Sequence, residues 1–453
     1  MALLTEQAIL LALAGLTATH ERTYWVAYSG GLDSQVLLSL LHSTIPRRQL
    51  RALHINHGLH PEADNWQLHC RQYCEGQGIA FEARKVVVDR TASSLERQAR
   101  ESRYQIFESV LEPDDILLMA HHQDDQMETV LYRLLRGSGP RGMAGIPAQR
   151  KIGKGLLIRP LLNFSKAELT EYARVNDLQW IEDSSNLDTN FDRNFLRQEI
   201  IPRLKMRWPD AGKSLQRSAE LSRESESLLQ ELAAMDSGLL QNNPETSFPV
   251  AILARLDHAR QRNVLRYWFQ SLSEKYAVPV PGYEELHRIV DELIPAAIDA
   301  SPLLGWKNGQ DDIQLRRFAG RLYVLKNFSA DFDPSPRHIA PGIQLDLGAN
   351  LGTVSLQECA ADGIPCQDDD ELQIRFRSDE TSAKPAGRKT RSFKKLYQDY
   401  GVPPWLRDRI PLLYVNGNLA AVGDLFVCHT EPQQTGQKQL RLNWQRQDIH
   451  CGY

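Results

Sequence analysis

A hexapeptide at residues 29–34, Ser-Gly-Gly-Leu-Asp-Ser, constrains the fold of this chain more than any other segment. It follows a short aromatic and β-branched run and precedes leucines at helical spacing, so a strand, a tight loop and a helix succeed one another. There the backbone N–H groups of the loop and the helix dipole converge on an anion. The two glycines allow close approach to the backbone, and Ser29 and Ser34 add hydroxyl donors. The segment predicts a phosphate-binding loop, with the helix starting at Ser34.

Asp33 lies inside this predicted anion site. A carboxylate beside phosphates is unfavourable unless a divalent cation lies between them, and magnesium is the usual bridge. The loop also lacks the lysine of the GxxxxGK[ST] motif. The pattern therefore argues against γ-phosphoryl transfer of the kinase or GTPase kind.

The first part of the chain predicts an α/β fold. From Thr23 to about Trp180, short apolar runs alternate with longer segments of helical period, which is typical of a doubly wound parallel sheet that binds nucleotides. Ser165 and Glu168 form a capping box that predicts the start of one of its helices. A strand is also expected at Ile116 to Met119.

Beyond Pro202 the pattern changes. A mostly helical region is expected, with helices over Asp257–Tyr276 and Gly282–Leu293, followed by short strands and one basic helix in a small α+β domain. At about 150 residues per domain, a chain of 453 residues accommodates three domains. We expect them at residues 1–212 (the α/β domain), 213–330 (mostly helical) and 331–453 (a linker and the small α+β domain).

Composition excludes several classes of protein. With 42% hydrophobic residues the chain is neither disordered nor collagen-like, and its six cysteines form no CxxC pair. The apolar stretch Ala8 to Leu16 is half a bilayer span and follows Glu6 instead of basic residues. We therefore expect a cytoplasmic chain without zinc, disulfides or a membrane segment. The sequence does not indicate an oligomeric state.

A second polar segment, His-His-Gln-Asp-Asp-Gln-Met-Glu at residues 121–128, follows the predicted strand that ends at Met119. At 3.6 residues per turn its acidic residues and first histidine share one helix face: His121, Asp124, Asp125 and Glu128. Crowded carboxylates repel one another, so we expect a neutralising cation, either magnesium, a substrate ammonium group or both. The histidine spacing typical of helical zinc sites is absent from this segment.

Six segments, taken in order, resemble one enzyme family. The hexapeptide alone is similar to the pyrophosphate (PP) loop of the N-type ATP pyrophosphatases, which cleave ATP between its α and β phosphates to form an adenylate. The whole series is identified as that of the tRNA(Ile)-lysidine synthetases: SGGLDS, LHINHGLHPEAD, LERQARESRY, HHQDDQMET, LRGSGPRGMAGI and EDSSNLDTNFDRNFLRQEIIP. The resemblance covers about the first 210 residues closely and continues more loosely to the C-terminal region.

The resemblance implies a two-step reaction. ATP adenylates the wobble cytidine of an isoleucine tRNA with a CAU anticodon, and L-lysine then displaces AMP to give lysidine, which changes the codon read from AUG to AUA. The loop would hold the pyrophosphate through Ser29, Gly30, Gly31, Leu32, Asp33 and Ser34. Asp33 would bind magnesium as well as pyrophosphate. From their placement, Ile55 is expected to pack on adenine, and Asp124, Asp125 and Glu128 are expected to bind magnesium or lysine, with Asp33 and Asp124 as the metal ligands. Arg100 and Arg193 are expected to stabilise phosphate charge. By the same resemblance residues 1–212 would be catalytic, and residues 213–330 and 331–453 would hold and select the tRNA.

A net charge of −4 argues against a nucleic-acid partner only as an average. Residues 384–409 hold eight basic and two acidic side chains, and residues 193–223 hold eight basic and three acidic ones. The first window interleaves Phe393, Tyr397, Tyr400 and Trp405, which suits stacking on bases. We expect it to bind tRNA through Arg388, Lys389, Arg391, Lys394 and Lys395.

Three alternatives compete with this interpretation. A tRNA sulfur-transfer enzyme of the same group would need a reactive cysteine near the loop, and we expect Cys70 and Cys74 to be buried instead. A small-molecule adenylating ligase, such as an amide synthetase, would not need the basic windows. A non-catalytic RNA-binding module would leave the acidic segment without a purpose.

Overall fold

The computed structural model describes residues 4–14, 22–58, 60–86, 95–183, 188–238, 245–297, 300, 302–328, 332–349, 351–360, 363–376, 381–428 and 438–446. The chain divides into two units, residues 1–228 and 229–453. Their boundary falls within one long helix, and the three expected domain boundaries stay a prediction.

A six-stranded sheet forms the centre of the first unit. Its strands, β1 to β6, are Tyr24–Ala27, Leu50–Asn56, Ala80–Lys85, Ile116–Leu118, Gln149–Ile152 and Gly155–Ile158. They lie in the order β3-β2-β1-β4-β6-β5, and neighbours pair in parallel except in the β5–β6 hairpin. The predicted parallel sheet is confirmed, with an added antiparallel edge strand.

Helices cover both faces of this sheet. Helices α1 to α10 are Glu6–Leu13, Leu32–Thr44, Ala63–Gln77, Leu95–Val110, Gln123–Leu135, Pro140–Met143, Lys166–Val175, Asp192–Phe195, Ile201–Arg207 and Ala211–Ser237, and a π-helical turn, Leu196–Ile200, joins α8 to α9. One core contains Leu37 of α2 and Leu169 of α7, and a second contains Phe107 of α4 with Leu117 of β4. Two separate cores are the mark of the doubly wound arrangement expected from the sequence.

The strand order reverses at β1, because β2 and β3 lie on one side of it and β4 to β6 on the other. Ligands of open α/β sheets bind at such a switch point, outside the carboxyl ends of the strands. The hexapeptide follows β1 and the acidic segment follows β4, so the topology brings the two segments together.

The second unit begins with helices packed on a small sheet. Helices α11 to α13 are Val250–Leu253, His258–Tyr276 and Tyr283–Arg288, the last continued by a π-helical turn, Ile289–Leu293. The strands Ser247–Pro249, Leu303–Asn308, Asp311–Phe318 and Arg321–Lys326, β7 to β10, pair in the antiparallel order β7-β10-β9-β8. The two expected helices are confirmed, and Trp268 and Phe269 of α12 lie in the core.

The rest of the second unit is rich in short strands. Strands β11 to β21 are Arg337–His338, Gln344–Asp346, Thr353–Glu358, Ile364–Cys366, Leu372–Arg375, Ser382–Ala383, Arg391–Ser392, Leu412–Val415, Asn418–Val422, Phe426–Val427 and Lys438–Gln445. They form sheets of five, four and two strands beside helix α14, Phe393–Asp399. The expected strands and basic helix are confirmed. No described helix is long and apolar enough to cross a membrane.

Candidate active site

The hexapeptide forms a tight turn that only glycine fits at its second position. Gly30 has a φ of +84°, and a Cβ there would lie 2.6 Å from Ile181 Cδ1 and 2.7 Å from Cys70 Sγ. Ser29 Oγ and Ser34 Oγ are 3.0 Å apart, and the Ser34 hydroxyl also donates to the Gly31 carbonyl at 3.0 Å. Helix α2 starts at Leu32, two residues earlier than predicted, because Gly31 is already its extended N-cap residue.

The N-cap residue Gly31 has no side chain to cap this helix start. Its first N–H groups are therefore not bonded by their own cap residue, and the anion-binding role expected of them stays a prediction.

The loop borders a cavity of about 350 Å³ at the carboxyl ends of β1, β2 and β4. The cavity combines an apolar wall with polar groups of the loop and of the acidic segment, and its lining includes Tyr28, Ser29, Gly31, Asp33, Ser34, Ile55, His57, Arg103, Phe107, Met119, His121 and Asp125. This composition suits a ligand with an apolar ring and a charged end. Of the other predicted nucleotide residues, Gly30 and Leu32 belong to the loop without lining the cavity.

Asp33 carries a strongly stabilised negative charge. Its Oδ1 accepts a hydrogen bond from Lys166 Nζ at 2.6 Å, and its Oδ2 lies 3.6 Å from His122 Nε2. Burial opposes ionisation, but His122 and Lys166 outweigh it and lower the pKa of Asp33 to about 2. Asp33 therefore faces the cavity as a carboxylate at neutral pH.

The acidic segment begins α5 and is held by contacts within the chain. His122 is the N-cap: its Nδ1 accepts from the Asp124 N–H at 3.2 Å, and Asp125 Oδ2 accepts from the His122 N–H at 2.9 Å. His122 Nε2 also lies 3.6 Å from Asp125 Oδ2, the same distance as from Asp33. Asp33 and Asp125 therefore lie at equal distances from one imidazole.

The chain itself supplies positive charge to the carboxylates. Lys205 Nζ donates a hydrogen bond to Asp124 Oδ1. The other carboxylate oxygen, Asp124 Oδ2, accepts a hydrogen bond from the Lys166 N–H at 3.0 Å. Glu128, whose side chain is only 3% exposed, accepts from Arg197 at 3.1 and 2.8 Å. Arg193 Nη1 lies 3.7 Å from the same carboxylate. The charge that the sequence left unbalanced is thus partly neutralised without a ligand.

His121 does not share the helix face that the sequence predicted for it, because α5 starts only at Gln123. Its Nδ1 instead accepts a hydrogen bond from Arg159 Nε at 3.2 Å. Burial, aided by Arg159, lowers the pKa of His121 to about 4, although Asp125 opposes this. Because an arginine can only donate, neutral His121 carries its proton on Nε2. It therefore presents a hydrogen-bond donor in the cavity wall.

Three family profiles match consecutive parts of the chain: a PP-loop domain over residues 5–204, a TilS substrate binding domain over 248–323 and a TilS substrate C-terminal domain over 372–444. Curated relatives match almost its full length. The tRNA(Ile)-lysidine synthase of Coxiella burnetii is 38% identical over 91% of each chain. That of Legionella pneumophila strain Paris is 40% identical over 88% of this chain and 92% of its own.

The chain belongs to the tRNA(Ile)-lysidine synthase family. A third member, from Pectobacterium atrosepticum, is 39% identical over 93% of this chain and 94% of its own. The PP-loop domain makes the chain an ATP-using enzyme. The sulfur-transfer and amide-ligase alternatives are not favoured, and Cys70 and Cys74 are fully buried, as expected.

Among solved structures, the U34-tRNA thiolase NcsA from Methanococcus maripaludis aligns with a TM-score of 0.40 and 18% identity, covering 48% of this chain and 78% of its own. The NH3-dependent NAD synthetase from Campylobacter jejuni aligns with a TM-score of 0.28 and 13% identity, covering 48% and 93%.

In this family member several arginines cluster around the Tyr104 ring, and one arginine of the same helix lines the cavity. Arg100 is exposed and lies 5.1 Å from the Tyr104 ring, whereas Arg103, one helical turn further, lines the cavity. Arg150 lies 4.7 Å from the same ring. Although burial opposes it, Arg100, Arg150 and Arg159 lower the pKa of Tyr104 below its ordinary value. Arg100 therefore lies among other positively charged side chains, and its role in binding phosphate stays a prediction.

The predicted tRNA-binding side chains lie in the second unit and are all exposed: Arg388, Lys389, Arg391, Lys394 and Lys395. Arg391 pairs with Asp399, and Arg388 lies 5.7 Å from the Tyr400 ring. The prediction that all four interleaved aromatic side chains are available for stacking on bases is wrong, because Tyr397 and Trp405 are each only 8% exposed and belong to the core. Phe393 and Tyr400 stay partly accessible.

Sequence reasoning missed several side chains that reach this site, among them His57, Arg103, His122, Arg159, Lys166 and Lys205. His57 and Arg103 occur in segments that carry the resemblance. Their positions in the sequence close to Ile55 and Arg100 could therefore have indicated that they reach the site. Lys166 lies inside the predicted capping box, where only its effect on the helix start was considered. No local pattern linked Arg159 or Lys205 to the site.

Proposed function

We propose that this chain joins L-lysine to C2 of the wobble cytidine in tRNA(Ile) with a CAU anticodon, at the expense of ATP. The C2 oxygen attacks the α phosphate, so that an O–P bond forms and pyrophosphate leaves. A lysine amine then attacks C2, and the C–O bond breaks as AMP departs with that oxygen. The observation that carries the proposal is the junction of the PP loop with a cluster of paired acids and arginines, in a member of this family.

The PP loop is placed to hold the triphosphate. Its uncapped helix start and the Ser29 and Ser34 hydroxyls supply donors, and Ile55 in the apolar wall is available for the adenine ring. The donor Nε2 of His121 is available for a phosphate oxygen. Adenylation is thereby supported by groups that already converge on one cavity.

Magnesium fits the carboxylates of this cavity. The ion usually binds one or two carboxylates together with substrate phosphates, and the described residues contain no cluster of three or more His, Cys, Asp or Glu that could replace the phosphates. The sequence paired Asp33 with Asp124. Because Asp124 contacts Lys205 and the Lys166 backbone while Asp125 lines the cavity, we assign Asp33 and Asp125 as ligands. Bound magnesium would offset the charge of the leaving pyrophosphate.

The neighbouring charge cluster suits an amino acid. Glu128 offers a carboxylate for an ammonium group of lysine, and Arg193 and Arg197 offer guanidinium groups for its carboxylate. Both charges of a zwitterion can therefore be matched beside the cavity, and we place lysine there.

The tRNA would contact the exposed basic residues 388–395 of the second unit, through its phosphates. An enzyme that modifies tRNA with ATP and free lysine is expected to act in the cytoplasm.

One assay tests the whole proposal. Labelled lysine is supplied with ATP and magnesium to tRNA(Ile) with a CAU anticodon, and in parallel to methionine tRNA with the same anticodon. We expect incorporation into the first only, together with AMP and pyrophosphate. Absence of label in both would overturn the proposal, and equal labelling would remove the tRNA(Ile) specificity from it. Asp33→Ala should abolish tRNA-dependent ATP–pyrophosphate exchange.

A further inference from the structure

The PP loop contains no lysine, yet an ammonium group lies against it. Lys166 Nζ is 2.6 Å from Asp33 Oδ1, and Asp33 lines the nucleotide cavity. The Lys166 side chain is 44% exposed and that of Asp33 is 31% exposed. An ion pair so open to solvent contributes little to stability, so stability alone gives a weak reason for placing a lysine here.

The backbone that carries Lys166 is held by several hydrogen bonds, whereas its partly exposed ammonium group is paired with Asp33. Lys166 is the first residue of α7, and the Ser165–Glu168 capping box closes that helix start with bonds of 2.8 and 3.3 Å. The Lys166 N–H donates to Asp124 Oδ2 at 3.0 Å, which ties it to the acidic segment. Four methylenes therefore extend from a fixed point beside the loop, and the ammonium group can change partners without moving the helix.

We propose that Lys166 supplies, from a separate helix, the phosphate-binding ammonium group that the loop lacks. When ATP binds, the ammonium group exchanges the Asp33 carboxylate for an oxygen of the β or γ phosphate. It then stabilises the negative charge that grows on pyrophosphate as the bond to the α phosphorus breaks. The inference rests on the proposed use of ATP by this site and adds a residue that makes the site selective for the polyphosphate.

The electrostatics of the loop support this role. The Asp33 carboxylate lies beside the loop hydroxyls that would receive the phosphates, and among the described residues Lys166 Nζ at 2.6 Å and His122 Nε2 at 3.6 Å are paired with it. His122 also faces Asp125 and is 5% exposed, so it has less freedom to follow a ligand. Lys166 is therefore the group best placed to turn from Asp33 to a phosphate.

The test compares binding of ATP, AMP and inorganic pyrophosphate to the full chain by titration calorimetry, with and without magnesium. Lys166→Met should weaken ATP and pyrophosphate binding about tenfold or more and leave AMP binding within about twofold, because only the first two ligands carry the phosphates concerned. Lys166→Arg, which keeps the charge, should restore part of the loss. The control is Lys154→Met, which removes a surface lysine paired with Glu112 at 3.1 Å and should bind all three ligands like the wild type.

Circular dichroism first checks that each variant folds. If Lys166→Met does not fold, Lys166→Gln replaces it, with the same expected loss of ATP and pyrophosphate binding. Equal weakening of ATP and AMP would show a general structural role and overturn the inference. Unchanged ATP binding would overturn it as well, and tighter binding would show that Lys166 blocks the site. If the wild type itself binds no ATP, the proposed function fails together with the inference. If it binds ATP and forms lysidine, only the inference is at risk.

Discussion

Single residues of this site act in pairs of opposite charge. Glu128 is nearly inaccessible, and burial raises its pKa even though Arg197 and Arg193 oppose the change. Arg197 also lies 3.6 Å from Asp125, so one guanidinium group serves two carboxylates. A lysine ligand would enter this network by exchanging partners, which makes its affinity sensitive to each charge.

Glu128→Gln tests this arrangement. We expect the KM for lysine to rise about tenfold or more, because a hydrogen bond to a charged group contributes about 1.5–3 kcal/mol, whereas the KM for ATP should change less than about twofold. Steady-state lysidine formation measures both constants. Glu171→Gln, which removes an exposed partner of Arg174, is the matched control. A parallel rise in both constants would contradict the assignment of Glu128 to lysine.

Residues could be predicted where the signal was local. Two short motifs indicate their chemistry within a few positions: the glycines and serines of the loop, and the acids at 124–128. The structure brings both motifs to one switch point. The Lys166–Asp33 contact joins residues 133 positions apart, and the Lys205–Asp124 contact joins residues 81 apart. A sequence does not state such pairings, because tertiary packing alone creates them.

At the scale of elements, the β1–α2 turn determines whether the loop can form. Gly30 combines a positive φ with Ile181 on one side and Cys70 on the other. The Ile181 N–H also donates to the Gly30 carbonyl at 2.9 Å, so a neighbouring segment fixes the turn. A side chain at this position must displace either the loop or its supports.

Gly30→Ala separates crowding from backbone strain when compared with Gly137→Ala. Gly137 has a φ of +71° and open space where a Cβ would lie. Both variants should lose about 1–2 kcal/mol to the left-handed conformation, and Gly30→Ala should lose about 1–3 kcal/mol more through overpacking. Thermal unfolding measures the difference, and calorimetry should show loss of ATP binding in Gly30→Ala. Equal destabilisation of the two variants would show that the loop tolerates a side chain.

Elements with strong caps could be predicted almost to the residue. The Asp257 side chain accepts from the Arg260 N–H at 2.9 Å and starts α12 where expected, and the Ser165–Glu168 box starts α7. The β5 strand was missed because three of its four residues are polar, as suits an exposed edge. The early start of α2 was missed because a glycine N-cap gives no side-chain signal.

At the scale of the whole molecule, the two units differ in how their charged side chains are arranged. The first unit pairs acids with lysines and arginines near one cavity, and the second exposes a cluster of basic side chains at residues 388–395. A net charge of −4 is the sum of these opposed regions and carries little information about partners. The local balance is what a polyanionic substrate would meet.

Lys394 and Lys395 of α14 allow a direct test of that surface. If both contact tRNA phosphates, replacing them with alanine should weaken tRNA binding and reduce the slope of log K against log salt by about 1.4–1.8, since each neutralised phosphate contributes about 0.7 on single strands and about 0.9 on duplex DNA. Affinities measured by filter binding between about 50 and 200 mM salt give the slope. The control is Lys438→Ala, because Lys438 is already paired with Asp368 at 2.7 Å. A double variant with the wild-type slope would place the tRNA elsewhere, whereas a reduced slope with an unchanged ATP affinity would show that these two lysines act on the tRNA alone.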